Sequence, residues 1–596
     1  MIEQLDSPSI QSDVESEIKR RLADERAKLR RETGLVQIRP FQRPMERSFT
    51  AEERDKVTIL FGGLTAKHEA LIQAVFRGAG YKCEILPVPD VPAFQAGKEF
   101  GNNGQCNPTY FTVGNLVQYL QRLEAGGMSR NDIIDNHVFF TAGSCGPCRF
   151  GMYEAEYRFA LQNAGYDGFR VLLFQQQEGI NAKSGEAGLK FNVDFGLGML
   201  NALHLGDTMN EMAYLIRPYE TTKGETNRVF DEAMSRLVTL LKDRKHFEIM
   251  EQSPGWVQNY LADRKGVRNP SNTIGKIREH LYGDVFIDTI DEVRNLINTI
   301  EVDRFKVKPI VKITGEFWAQ TTEGDGNFNM FRFLEREGAE VKVEPIATWV
   351  AYLCHQAKTI ARNKHDVESH AHPLAWHEFR KRLTRAMNLQ KKVFGLHMGE
   401  VLWSHFYHRI IDKLGGTAHH LIPQDELAAL AHPFYHKMSR GGEGHLEIGK
   451  NIYYHIHHLT HMVLAVKPFG CMPSSQSDGV QSAVVNKYRD MIFLPIETSG
   501  EGEVNAHSRV QMALGEAKAK AKLEFETVLQ SCGKTLPDLR SYVADHPELK
   551  RPLYKVPHKE GVAGTAAHFA AHVSDLMDRR RRFWPQRSSS PKPNYA

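Results

Sequence analysis

Short apolar runs alternating with amphipathic stretches give the chain two similar halves with helical material around them. The first run, Val57-Thr58-Ile59-Leu60-Phe61, is followed by the turn Gly62-Gly63-Leu64-Thr65, an amphipathic stretch over 66–77, a stop at Gly78-Ala79-Gly80 and a second run, Cys83-Glu84-Ile85-Leu86. A strand–helix–strand unit with loops this short predicts a parallel sheet. The loop-like stretch 100–108, with Cys106 in Gly104-Gln105-Cys106-Asn107-Pro108, precedes a helical pattern over 110–123. The run His137-Val138-Phe139-Phe140 then stops at Thr141-Ala142-Gly143-Ser144. From about Cys148 a helical pattern carries Tyr153, Tyr157 and Leu161 on one face, Gly165 closes it, and 169–174 reads as the next strand.

Helical patterns fill 199–215, 226–244, 272–281 and 289–300, with no chemistry visible in them. The strand–helix–strand pattern restarts at Pro309-Ile310-Val311-Lys312-Ile313, passes Thr314-Gly315-Glu316-Phe317 and reaches a strand at Val341-Lys342-Val343. A helical, His-rich insertion over about 349–439 interrupts it. A helix over 446–458, the strand Met462-Val463-Leu464-Ala465-Val466 and a strand over 491–496 complete the second half. The expected fold class is therefore α/β, two parallel-sheet domains with helical insertions. The expected segments are an N-terminal helical arm (1–50), a first α/β domain with Cys106 and Cys148 (51–195) and a helical segment (196–305). A second α/β domain with the His-rich insertion and Cys471 (306–520) follows, then a helical and flexible basic tail (521–596).

Composition narrows the class. Against 76 Lys and Arg stand 72 Asp and Glu, a net charge of +4, too even a balance for nucleic acid to be expected as partner. No run of about 18 apolar residues occurs, and Met1 to Asp6 has neither a basic nor an apolar leader character. The expectation is a soluble cytoplasmic protein with no membrane partner. Seven scattered cysteines, an odd number, argue against a disulfide framework and for buried, metal-binding or reactive thiols.

Three cysteines share one placement. Cys106, Cys148 and Cys471 each sit in a Gly- or Pro-containing loop ahead of a helical pattern, the last in Pro468-Phe469-Gly470-Cys471-Met472-Pro473-Ser474. Loops after the strands of a parallel sheet converge on one rim, and a helix N-terminus favours a thiolate with a lowered pKa. Cys145-Gly146-Pro147-Cys148 has the spacing of a dithiol redox pair. Zinc is announced by paired knuckles, and only one C-x-x-C is present. An iron–sulfur cluster held by three thiolates from separate loops, with one iron open, fits widely spaced cysteines in glycine-rich loops, where backbone N–H groups reach the cluster sulfurs.

Other residues carry two readings each. Cys83 and Cys354 lie in apolar patterns and read as buried small hydrophobes, while Cys532 has no partner in sequence. His457 and His461 would share a helical face at metal-ligand spacing, or pack as ordinary histidines. Glu316 and Glu497 end strands and could move protons at the rim or cap neighbouring helices. Arg149 could hold a carboxylate, cluster charge or an ion pair, and Arg579 to Arg582 read as a solvated tail. No G-x-x-x-x-G-K-[ST] loop is present, and Asp194-Phe195-Gly196-Leu197-Gly198 lacks the hydroxyls of an actin-like phosphate loop. ATP hydrolysis by this chain is not expected.

Four blocks together carry a resemblance: Gly104-Gln105-Cys106-Asn107-Pro108 with Gly114, Gly146 to Tyr153, Thr314-Gly315-Glu316-Phe317, and Pro468 to Ser474. They resemble the signature blocks of the 2-hydroxyacyl-CoA dehydratase component and benzoyl-CoA reductase family. The closest branch is the one at the C-terminal end of large CoA-substrate-specific activase proteins, and the similarity covers about residues 55–520. The resemblance implies two flavodoxin-like or Rossmann-like domains with a four-iron four-sulfur cluster bound between them by Cys106, Cys148 and Cys471. It implies an ATP-dependent iron–sulfur activator as partner, homo- or hetero-oligomers, and dehydration or reduction of an acyl-CoA or small unreactive substrate. Relatives with a double-cubane cluster reduce small molecules. Cys145 departs from the family block and stands as an extra ligand, a modulator or a bystander. Two other functions remain beside this one: a CGPC dithiol-disulfide oxidoreductase, and a non-catalytic cluster-binding or scaffold relative.

Overall fold

The computed structural model describes residues 17–18, 20–25, 28–29, 46–143, 148–175, 188–189, 192–244, 247–262, 265–322, 324–371, 378–439 and 442–583. Two four-stranded sheets, both wholly parallel, organise it. The first contains β1 (Thr58–Phe61), β2 (Lys82–Ile85), β3 (His137–Gly143) and β4 (Arg170–Gln175) in the order β2-β1-β3-β4. The second contains β5 (Ile310–Gly315), β6 (Glu340–Lys342), β7 (Met462–Pro468) and β8 (Phe493–Thr498) in the equivalent order β6-β5-β7-β8. Register pairs Ile59 with Cys83 and Val138, and Thr314 with Ala465. In each sheet the strand order reverses between the first and third strands, and loops diverge there to leave a crevice.

The helices that matter below are α1 (Ala66–Gly78), α2 (Asn107–Ala125), α3 (Tyr153–Asn163), α4 (Val193–Ile216), α5 (Phe317–Thr321), α6 (Ile346–Ala371), α7 (Phe379–Lys413), α8 (His445–Ile456), α9 (Met472–Lys487), α10 (Glu503–Cys532) and α11 (Thr565–Phe583). Helix α1 shows how local sequence sets them. Thr65 caps its N-terminus by accepting from the His68 amide, Leu71, Ile72, Val75 and Phe76 bury its apolar face, and Gly80 turns the chain out beyond it. Its apolar face joins α4 in a core that includes Phe195, Leu205 and Met209. Helices α2 and α3 cover the other face through Val113, Leu116, Val117, Tyr157 and Leu161. A separate core lies around the second sheet, with Val311, Ile313, Leu464, Val466 and Ile496 at its centre.

Helix α4 serves both halves. Its Asp207 accepts from the amides of Ile346 (2.7 Å) and Ala347 (2.8 Å), the first residues of α6. The described residues from Ser48 onward form one compact unit. The expected break at 195/196 falls just inside α4, and the one at 520/521 falls inside α10. Helix α10 continues because Val510, Leu514, Ala517, Ala521, Phe525 and Val528 keep one buried stripe across that position. The Arg579 to Arg582 run, read as tail, lies in the last turns of α11, since Ala567, Ala570 and Val573 seat that helix in a small C-terminal core with Phe305.

Candidate functional site

Cys106 is the N-cap of α2, Cys471 is the N-cap of α9, and Cys148 precedes the short 3-10 turn Arg149–Met152 that leads into α3. The Cys148 loop follows β3 and the Cys471 loop follows β7, the equivalent strands of the two sheets. Cys145 lies outside the described residues.

Main-chain contacts join these loops. Gly470 adopts φ +76°, and a Cβ added there would stand 3.1 Å from the Gln105 carbonyl oxygen and 3.4 Å from Cα of Cys106. The Asn107 amide donates to the Phe469 carbonyl (3.1 Å), and its side chain donates to the Thr498 carbonyl (2.7 Å). The Cys106 loop of the first half thus seats directly on the Cys471 loop of the second. Among the described residues Arg149 pairs with no carboxylate: its guanidinium donates to the Gly104 carbonyl, tying the Cys148 turn to the Cys106 loop. Glu156 of α3 holds that loop from below, accepting from the Asn102 side chain (2.7 Å) and from Gln105 Nε2 (3.0 Å).

Two hydroxyls reach the Cys106 sulfur. Thr109 Oγ1 and Tyr153 Oη each lie 3.2 Å from Sγ. Thr109 stands one turn into α2, and Tyr153 opens α3. Glu316, directly after β5, caps α5 by accepting from the Ala319 amide (3.0 Å). Capping is therefore one of its roles, and its charge also bears on all three cysteines.

The electrostatics reverse the expectation of a lowered thiol pKa. Burial pushes the Cys148 thiol up to about 12, with Glu316, Cys106 and Glu443 adding to the rise. Burial likewise raises Cys106, against the hydroxyls of Thr109 and Tyr153, and Glu316 raises it further. Cys471 is raised by burial, Glu316 and Cys106, against hydrogen bonds from Ser474. Desolvation and neighbouring negative charge outweigh the N-terminal dipole, which acts only over the first turn. Cys106 acts on both Cys148 and Cys471, and Glu316 acts on all three, so the three thiols share one electrostatic neighbourhood.

Glu443 was not singled out in the sequence. It is buried, one of its carboxylate oxygens has no hydrogen-bond partner among the described residues, and its loop packs so that a Cβ on Gly442 would meet the Pro473 ring at 2.6 Å. Burial lifts its pKa to about 8, opposed by Lys450 and reinforced by Glu316. Trp318 of α5 is buried as well, and its indole N–H has no partner among the described residues. The Glu443 signal lay in Gly442-Glu443-Gly444, an acid between glycines in a loop, which local pattern alone does not distinguish from a surface turn.

Other readings resolve differently. His457 and His461 do not share a helical face: α8 ends at Ile456, and His458 takes φ +50°. His457 faces Glu426 (3.1 Å), while His461 accepts from the Ile310 amide (2.9 Å) and meets Glu524 (3.2 Å). Cys83 is buried in β2, and Cys354 and Cys532 lie on α6 and α10. The Gly62-Gly63 turn is closed to phosphate, because the Gly63 and Leu64 amides both donate to Glu69 Oε1 (2.9 and 3.1 Å). Among the described residues no three His, Cys, Asp or Glu side chains gather closely enough for a single metal ion, and no helix is long and apolar enough to cross a membrane. Compared with known proteins, the chain matches no family model and no curated protein.

Proposed function

We propose that this chain is an iron–sulfur protein of the 2-hydroxyacyl-CoA dehydratase type, with a four-iron four-sulfur cluster held by Cys106, Cys148 and Cys471. The observation that carries the reading is the seating of Gly470 against Cys106, with Arg149 drawing in the Cys148 turn. The donor set fits such a group. Three desolvated thiols are raised by Glu316, two of them by Cys106 as well, and iron coordination would relieve that by taking each sulfur as a thiolate. Held by these three cysteines, such a group would supply low-potential electron transfer beside the loops. The chain's own residues do the rest. Thr109 and Tyr153 donate to the Cys106 sulfur, Gly470 allows the two loops to close, and Glu443, lifted to about 8 by burial, holds a proton near the cysteines.

The ATP-dependent electron donor is a separate iron–sulfur activator, in keeping with the absence of a P-loop in the sequence and with the Glu69 carboxylate in the Gly62-Gly63 turn. The substrate is an acyl-CoA or a small unreactive molecule, and the setting is the cytoplasm. A dithiol oxidoreductase, the second reading, would attack through Cys145, which lies outside the described residues, with Cys148 as the resolving thiol.

Iron and sulfide analysis with EPR on anaerobically purified protein tests the proposal. The expected content is about four iron and four sulfide per chain, lost in Cys106→Ser, Cys148→Ser and Cys471→Ser. A wild-type protein that stays iron-free after anaerobic reconstitution, or three variants that all keep the cluster, would refute it. Aerobic disulfide reduction abolished by both Cys145→Ser and Cys148→Ser would favour the dithiol enzyme instead.

A further inference from the structure

The His-rich insertion builds a hairpin. Helix α7, 35 residues long, packs alongside α6, with Lys358 paired to Glu400 and the Trp403 indole donating to the Ala347 carbonyl (3.0 Å). Towards its N-terminal end α7 turns the half-buried Leu389, Val393 and Leu396 to its neighbour. A second apolar row lies on a different side: Phe379, Leu383, Met387, Phe394, Met398 and Val401 are all exposed, from 38% at Met398 to 65% at Phe394. Their spacing puts them in one sector of about 100°, a ridge about 33 Å long at 1.5 Å per residue. Arg380, Gln390 and His397 share that sector, but six exposed apolar side chains along one helix side are more than the single scattered ones that need no explanation.

Charge says what covers it. Between Phe379 and Gly399 the sequence holds Arg380, Lys381, Arg382, Arg385, Lys391 and Lys392 and no Asp or Glu, more positive charge than the whole chain's net +4. Among the described residues only Lys381 of these six is in an ion pair, with Glu378 (2.7 Å). A second copy on this face would set one basic run towards another, so like charges oppose self-association there. An apolar row on one side and Lys and Arg at its edge and round the polar side of a helix of low overall hydropathy is instead the composition of a helix lying in the plane of a membrane interface.

We propose that the outward face of α7 is a peripheral docking surface for an anionic lipid bilayer. The apolar row enters the headgroup boundary, Arg380 and Lys391 at its edge meet lipid phosphate, and Lys381, Arg385 and Lys392 further round the helix add attraction to the anionic surface. The sequence expectation of no membrane partner rested on the lack of a spanning run, and a helix lying in the interface needs none.

Co-sedimentation of the full-length protein with extruded vesicles tests this directly. With equimolar phosphatidylcholine and phosphatidylglycerol the protein should pellet. Binding should fall about tenfold or more with phosphatidylcholine alone, or when high salt screens the charges. The double variants Phe394→Ser/Met398→Ser and Lys391→Glu/Lys392→Glu should each lose a similar factor while keeping wild-type circular dichroism, since all four side chains are exposed. Failure of the wild type to pellet overturns the proposal, as does binding indifferent to lipid charge. Light scattering that shows a dimer converted to monomer by Phe394→Ser/Met398→Ser also overturns it, by giving the face to a second copy. None of these readings depends on whether the cysteines hold iron.

Discussion

The phenol oxygen of Tyr153 lies 3.2 Å from the sulfur of Cys106, joining the start of α3 to the cap of α2. Tyr153 is buried, and the charges of Cys106 and Glu316 add to the burial that raises its pKa, so it keeps its proton and donates. Hydrogen bonds to a ligating sulfur draw off negative charge and favour the reduced state. Tyr153→Phe should retain iron, shift the midpoint potential to more negative values and cost about 1 kcal/mol of stability. Potentiometric titration followed by EPR reads the shift, and an unchanged potential would remove Tyr153 from the site.

Gly315 ends β5 at φ +116°, where a Cβ would stand 2.0 Å from the Val466 carbonyl oxygen. No L side chain fits both the conformation and the contact, and the next residue is Glu316, whose amide bonds to that same carbonyl (3.1 Å). Gly315→Ala should force β5 away from β7 and destabilise by roughly 3 kcal/mol or more. Chemical denaturation reads the loss, and a wild-type midpoint would show that the strand end relaxes freely.

Most of the fold was legible because its signals are local. The run Val57 to Phe61, the Thr65 cap and the stop at Gly80 lie within one stretch of chain, and β1, α1 and β2 form there. The three cysteine placements were legible for the same reason, each lying at the head of a helix or helical turn. What joins them was not, since Gly470 meets Cys106 across most of the chain and no periodicity encodes that contact. The sign of the thiol shifts was also hidden. A helix N-terminus can be read locally, but the desolvation and the Glu316 and Glu443 charges that overrule it come from other segments. His461 failed as a helical partner of His457 because the chain turns at His458, and its bond to the Ile310 amide replaces the helical position.

Lys312 of β5 is fully buried with its ammonium 2.6 Å from Glu344 and 4.4 Å from the centre of the Tyr454 ring. Removing one charge strands the other in a low-dielectric core. Lys312→Met should cost about 3–5 kcal/mol, and Lys312→Met/Glu344→Leu much less than the sum of the two single changes. Urea unfolding of the four proteins measures the coupling. Additive losses would mean that Lys450, the other cation acting on Glu344, carries the pairing.

His204 on α4 gives a pH dependence with a definite sign. It is fully buried against Trp403 (4.2 Å between ring centres) and Tyr407 (5.5 Å), and neither ring nitrogen has a hydrogen-bond partner among the described residues. Burial, reinforced by the charge of His408, pushes its pKa down to about 3, whereas an unfolded chain titrates its histidines near 6.5. Between those values the unfolded state binds a proton that the folded state refuses. Stability is therefore full above about pH 6.5 and falls as pH drops through that window, by about 2–3 kcal/mol at pH 4.5. His204→Phe keeps an aromatic ring beside Trp403 and removes the proton. The variant should lose about 2 kcal/mol less than wild type between pH 7 and pH 4.5, with His445 and His568, both lowered to about 4, keeping part of the slope. Urea midpoints at the two pH values decide it. Equal losses in both proteins would show that His204 takes up its proton in the folded state, with water admitted between α4 and α7.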